Sequence, residues 1–142
     1  FTIGYEGISF EAYINKLIQN NIKVLIDVRK NPFSHKYGFS KSILASVVNK
    51  MGIKYVHIPE LGIITEKRKK LETMEDYRAL FDEYETTLPS KESYLREILN
   101  YMDKYKRIAL TCFEMDVNKC HRTRIKDYIV NHLQSDTSVI EL

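Results

Sequence analysis

Both cysteines of the chain fall in one short stretch, Leu110-Thr111-Cys112-Phe113-Glu114-Met115-Asp116-Val117-Asn118-Lys119-Cys120-His121-Arg122. A thiolate can attack an electrophile. A carboxylate or imidazole can carry the proton, and a guanidinium offers a planar fork for phosphate or carboxylate. Cys120 precedes a helical pattern, where a helix dipole would favour its thiolate, so it is a candidate nucleophile with His121 to orient or shuttle. Cys112 closes an apolar run and is either a second nucleophile candidate or a wall of the site. Glu114 and Asp27 are candidates for acid–base work, since a desolvated carboxylate near others has a raised pKa. Arg29 and Arg122 would clamp an anion at a helix start. Ser34, Lys41, Tyr5 and Glu6 are candidate contacts around them.

Packing offers a competing account. Free cysteines are usually buried, each arginine could pair internally with Glu114, Asp27 or Glu6, and a single Asp often caps a helix or a turn. For Cys120 both accounts stand. Cys112, Glu114, Cys120 and His121 are also the residue types of a zinc site. Two features count against one. There is no Cys-x-x-Cys pair, and helical neighbours point about 100° apart, so Cys120 and His121 would not face one ion. No metal is expected. Gly4-Tyr5-Glu6-Gly7 is not the Gly-x-Gly-x-x-Gly of dinucleotide sites, so neither NAD nor FAD is expected.

The elements that must position these residues show in the periodicity. Residues 1–3, 24–26, 54–58 and 107–111 read as strands, with Val139-Ile140 as a short last one. The continuous apolar runs are of the kind buried on both faces of a parallel sheet. Between them Ser9 is an N-cap, and Phe10, Tyr13, Ile14, Leu17 and Ile18 fall at helical spacing. Ser40 or Lys41 opens a second helix with Ile43, Leu44, Val47, Val48 and Met51 inward, and Gly52 stops it. Thr73 with Asp76 resembles a capping box before Tyr77, Leu80, Phe81 and Tyr84. Tyr94, Leu95, Ile98, Leu99 and Met102 mark another helix, and Ile125, Tyr128, Ile129 and Leu133 the last. The alternation predicts one α/β domain over residues 1–142, a mainly parallel five-stranded, Rossmann-like sheet with helices on both faces. Glu6, Asp27, Arg29, Glu60, Cys112 and Glu114 then follow carboxyl ends of strands and share one edge, where open α/β sheets bind ligands.

Composition narrows the class. Hydrophobic residues at 44% and charged residues at 29% fit an ordinary globular domain. A net charge of +3 is too small to argue nucleic-acid binding alone. Two cysteines do not make a secreted disulfide scaffold. No signal-peptide pattern opens the chain, and no apolar run nears the roughly twenty residues of a membrane span. The expectation is a reduced, cytoplasmic protein with no membrane partner; the oligomeric state is not legible.

Several blocks in order carry a resemblance: Thr2-Ile3-Gly4-Tyr5-Glu6-Gly7; Asp27-Val28-Arg29 with Pro32 and Ser34; Phe39-Ser40-Lys41 with Leu44; Tyr55-Val56-His57-Ile58-Pro59-Glu60-Leu61-Gly62; and Cys112-Phe113-Glu114 with Cys120-His121-Arg122. Together they resemble the domain-of-unknown-function 488 family, from the first strand to the last helix. The resemblance implies a small α/β microbial protein and supports the choice of residues, but it implies no reaction. The basic stretch 64–71 departs from the shared blocks, so its lysines are poor candidates for shared chemistry.

Two functions remain. The first is an enzyme acting on an anionic substrate, a phosphate-bearing nucleotide or nucleic acid, by hydrolysis or group transfer. The second is a nucleotide or nucleic-acid binding module without turnover, using Lys30, Lys36, Lys41 and the 67–70 run for phosphates and tyrosines for stacking. A basic stripe on an open surface would favour binding. A pocket with acids beside arginines and cysteines would favour catalysis.

Overall fold

The computed structural model describes residues 1–69, 71–133 and 136–142. Strands β1 (Thr2–Gly4), β2 (Val24–Asp27), β3 (Lys54–His57) and β4 (Ile108–Cys112) form one sheet in the order β1-β4-β2-β3. Every pairing is parallel. The helices are α1 (Phe10–Gln19), α2 (Lys41–Lys50), the single turn α3 (Thr65–Arg68), α4 (Met74–Thr87), α5 (Glu92–Tyr105) and α6 (Arg122–Tyr128).

Alternation along the strands sorts side chains into two cores. Val24, Ile26, Ile108, Leu110 and Cys112 point to one face and pack with Phe81, Leu95, Ile98 and Ile125 of α4, α5 and α6. Ile3, Leu25 and Ala109 point to the other and pack with Tyr13 and Leu17 of α1 and Leu44 and Val48 of α2. Helices therefore cover both faces. β2 and β4 are buried along their whole length, which is why they read as unbroken apolar runs, whereas β3 at the edge is only partly covered. The chain leaves β2 toward the α2 face and β4 toward the α6 face. Among the described residues no helix is long and apolar enough to cross a membrane.

Local signals behave as their chemistry requires. Ser9 Oγ accepts from Ala12 N–H at 3.1 Å, and Thr73 and Asp76 form a reciprocal capping box. Ser40 stands at the N-cap of α2 but makes no cap bond; its hydroxyl donates to Ser34 O at 3.0 Å and accepts from Ser34 N–H at 3.1 Å, closing the loop after β2.

The sheet has four strands, not the expected five. In place of Val139-Ile140 there is a single parallel bridge, Thr2 to Glu141. Thr2 N–H donates to Ile140 O and Leu142 N–H to Thr2 O, both at 3.0 Å. The edge strand it borders is three residues long, and Ile140 is 52% exposed, so no buried face extends the pairing. Ile18, Ile43 and Met51, expected inward, are exposed. Each sits at the margin of its apolar stripe, where one residue turns a side chain by about 100°. The last helix gives way after Tyr128 to a π-helical turn, Ile129–Leu133. The basic run is the turn α3, with Lys67 Nζ 2.5 Å from Glu83; Lys70 lies outside the described residues.

Candidate active site

Parallel register brings the strand ends together. Gly4 pairs with Cys112, and Asp27 with Thr111 and His57. Above that edge the loops after β1, β2 and β4, with α3, enclose a crevice of about 530 Å³. Cys112, Glu114 and His121 line it, as do Tyr5, Arg29, Ser34, His35 and the cationic Lys30, Lys36 and Arg68. Phe33, Tyr77 and Phe113 supply aromatic surface, with Phe33 64% and Phe113 42% exposed.

The loop carrying Glu114 is fixed from three sides. Tyr5 and Glu6 N–H both donate to Phe113 O, at 3.0 and 2.9 Å. Met115 N–H donates to Glu6 Oε2 at 3.2 Å. Arg122, 2% exposed, donates from Nη1 to Glu114 O and from Nη2 to Met115 O at 3.2 Å. Gly4 has no room for a side chain, since a Cβ there would lie 2.0 Å from Glu114 O. Glu114 is thereby held at the crevice floor, with Oε2 accepting from Cys112 Sγ at 3.1 Å and Oε1 paired with Arg68.

The sulfur and imidazole groups are nearly sealed from solvent. Cys112, Cys120 and His121 are each 1% exposed. His121 Nε2 lies 3.0 Å from Val28 O, and its Nδ1 3.7 Å from Cys112 Sγ. A carbonyl only accepts, so the proton is on Nε2. A hydrogen bond from Cys120, together with His121 and Arg68, holds the Cys112 thiol well below its usual value despite burial. Burial and then the Cys112 charge push Cys120 well above it. Burial and Cys112 raise Glu114 against the pull of Arg68. Burial lowers His121, but the Cys112 charge outweighs it and the imidazole is raised.

Of the two cysteines given as candidate nucleophiles, only Cys112 lines the crevice. Cys112 faces the crevice and is the more acidic thiol. Cys120 precedes α6 in an extended conformation rather than joining its first turn and does not line the crevice, and burial raises its thiol. Both are free.

Arg29 lines the crevice, but its nitrogens are committed: Nε and Nη2 to Asp27, and Nη1 to Tyr5 Oη and Phe39 O, both at 2.8 Å. Asp27 is fully buried, bonded also to Tyr55 Oη at 2.5 Å, and lies beneath the crevice rather than in it. Arg122 gives both terminal nitrogens to the loop carbonyls, and its buried Nε finds no hydrogen-bond partner among the described residues. Lys41 turns away: its Nζ donates to His57 Nδ1 at 3.0 Å. Lys36 Nζ donates to Tyr5 O at 2.7 Å from the crevice wall. Ser34 Oγ accepts from Lys36 N–H at 3.2 Å. Glu6 is an exposed loop anchor and Glu60 sits in the turn after β3.

Several groups at the crevice, Phe33, Arg68 and Tyr77 among them, escaped sequence reasoning. Arg68 was hidden in a run of lysines; the one available signal was that it is the sole fork-bearing cation among them. Tyr77 read only as part of a helical stripe. A family model described as "Domain of unknown function DUF488" matches residues 9–129. No curated protein and no solved structure matches the chain.

Proposed function

The chain belongs to the DUF488 family, whose description supplies no reaction, and from the crevice we propose that the protein is an enzyme acting on an anionic, phosphate-bearing substrate by hydrolysis or group transfer. One observation carries this reading. A single carboxylate, Glu114, lies at the floor beside Cys112 and is paired with Arg68, while Lys30, His35 and Lys36 face the same space. Such a pair is arranged to exchange partners. An entering anion would draw the guanidinium of Arg68 from Glu114 and leave the carboxylate to move a proton. The reading takes the sheet as Rossmann-like, with ligand where the connections from β2 and β4 part toward opposite faces. It also takes the setting as reduced and cytoplasmic, where both thiols stay free.

The test is a calorimetric titration with inorganic phosphate and nucleoside phosphates, followed by turnover assays on a panel of phosphate esters. Arg68→Lys should weaken binding by roughly 10- to 100-fold, the worth of a charge-assisted hydrogen bond. Glu114→Gln should keep binding and lose turnover. Absence of both binding and turnover in the wild-type protein would end the reading. The exposed rings of Phe33 and Phe113 favour the second function, a nucleotide or nucleic-acid binder, because they offer stacking surfaces. Tight, strongly salt-dependent binding without turnover would select it.

A further inference from the structure

Cys112 Sγ, Cys120 Sγ and a ring nitrogen of His121 lie within 4.8 Å of one another, all buried. Helical geometry would have kept Cys120 and His121 apart, but Cys120 is extended, with φ −129° and ψ 132°, and His121 only begins the helical turn, with φ −67° and ψ −17°. The change of backbone conformation between them turns both donors inward. His121 is also fixed as metal-binding histidines are. Its Nε2–H is held by Val28 O at 3.0 Å, which presents the Nδ1 lone pair toward Cys112 Sγ at 3.7 Å. Tetrahedral zinc, with Zn–S of about 2.3 Å and Zn–N of about 2.0 Å, sets sulfur and nitrogen about 3.5 Å apart and two sulfurs about 3.8 Å apart. The cluster needs little movement to reach that shape.

We propose that Cys112, Cys120 and His121 bind a borderline-soft divalent cation, zinc foremost, with the fourth position open to the crevice beside Glu114. Two thiolates and a neutral imidazole select against magnesium and calcium, which take oxygen ligands. Three protein ligands and one open position match a catalytic rather than a closed structural zinc site. Cys112 and His121 line the crevice and so give the ion its entry path, with Cys120 behind them. Bound there, the cation would add Lewis acidity at the floor of the anion crevice. The metal site itself needs only the three donors and does not depend on how the crevice is used.

The full chain, reduced and freed of metal by chelation, is titrated with Co2+. The expected result is one equivalent bound, with thiolate-to-cobalt charge-transfer absorption and the visible bands of a tetrahedral ion, reversed by zinc. Cys120→Ser should weaken cobalt affinity by more than the roughly 10- to 100-fold that losing an outer hydrogen-bond partner costs. That variant could disturb the core, so the wild-type protein gives a second measurement: one equivalent of zinc should protect both thiols from alkylation. A folded, reduced wild-type protein with no charge-transfer band, or thiols alkylated equally fast with and without zinc, overturns the proposal. Lys30→Ala combined with Lys36→Ala should leave the cobalt spectrum unchanged. An intact spectrum in a protein that binds no phosphate would remove the anion reading and keep the metal site.

Discussion

The guanidinium of Arg29 is bonded through all three of its nitrogens, and Asp27 is its buried counter-ion. Removing one member of such a pair strands the other charge away from water. Asp27→Ala should therefore cost about 3–5 kcal/mol in urea unfolding, far more than a surface carboxylate. A cost under roughly 1 kcal/mol, the level of an exposed pair, would show that Arg29 finds solvent. Among the described residues Arg122 has no carboxylate partner; it is bonded to two backbone carbonyls of the Glu114 loop. Lysine keeps its charge but lacks the fork that spans both. Arg122→Lys should lower stability by roughly 1–3 kcal/mol and lower turnover of phosphate esters, because Glu114 would lose its fixed position. Unchanged unfolding with normal turnover would place Arg122 outside the architecture of the site.

At the scale of the element, β1 matters less for its own length than for what its close packing permits. Gly4 lets the 113–115 loop descend onto the strand end, with no space for a methyl between them. Gly4→Ala should cost about 1–3 kcal/mol, typical of overpacking, and lift Glu114 away from Cys112. Thermal unfolding together with turnover assays on phosphate esters checks both effects. Retained stability and retained turnover would mean that the loop yields freely. Helix α4 starts on its capping box, and backbone N–H bonds from Thr73 and Glu72 hold the Asp76 carboxyl below its ordinary value of 3.8. A depressed folded pKa stabilises above the unfolded value, and the gain disappears as pH falls through the folded one. Asp76→Ala should thus be destabilising at neutral pH and converge on the wild type in acid, below 3.8. A difference in urea midpoint that does not shrink with acid would remove Asp76 as the cause.

On the scale of the whole molecule, one sheet separates two cores. Ile3 belongs to the core under α1 and α2, and Ile98 to the core under α4, α5 and α6. Ile3→Val and Ile98→Val should each cost about 0.5–1.5 kcal/mol. Because no side chain is shared between the two cores, the double variant should equal the sum to within about 0.5 kcal/mol. A larger coupling in a double-mutant cycle would mean that the sheet transmits strain between its faces.

Sequence alone determined what depends on neighbours along the chain. The alternation of apolar runs with helical stripes gave the α/β class and the parallel sheet, since strand and helix periods are local properties. The caps at Ser9 and Thr73 were legible for the same reason. That Asp27, Cys112 and Glu114 gather at one edge followed from parallel topology, which needs no coordinates. Tertiary structure decided the rest. Strand order, and the reduction of Val139-Ile140 to one bridge, depend on which edges find a buried face. The partners of the arginines depend on where guanidinium forks meet carbonyls and carboxylates from distant segments, so Arg29 and Arg122 became supports and Arg68 the cation paired with Glu114. Which cysteine lines the crevice was likewise decided by packing in space. Cys112 is a partner of Glu114 and His121, whereas Cys120, a few residues away in the chain, is pressed into the core.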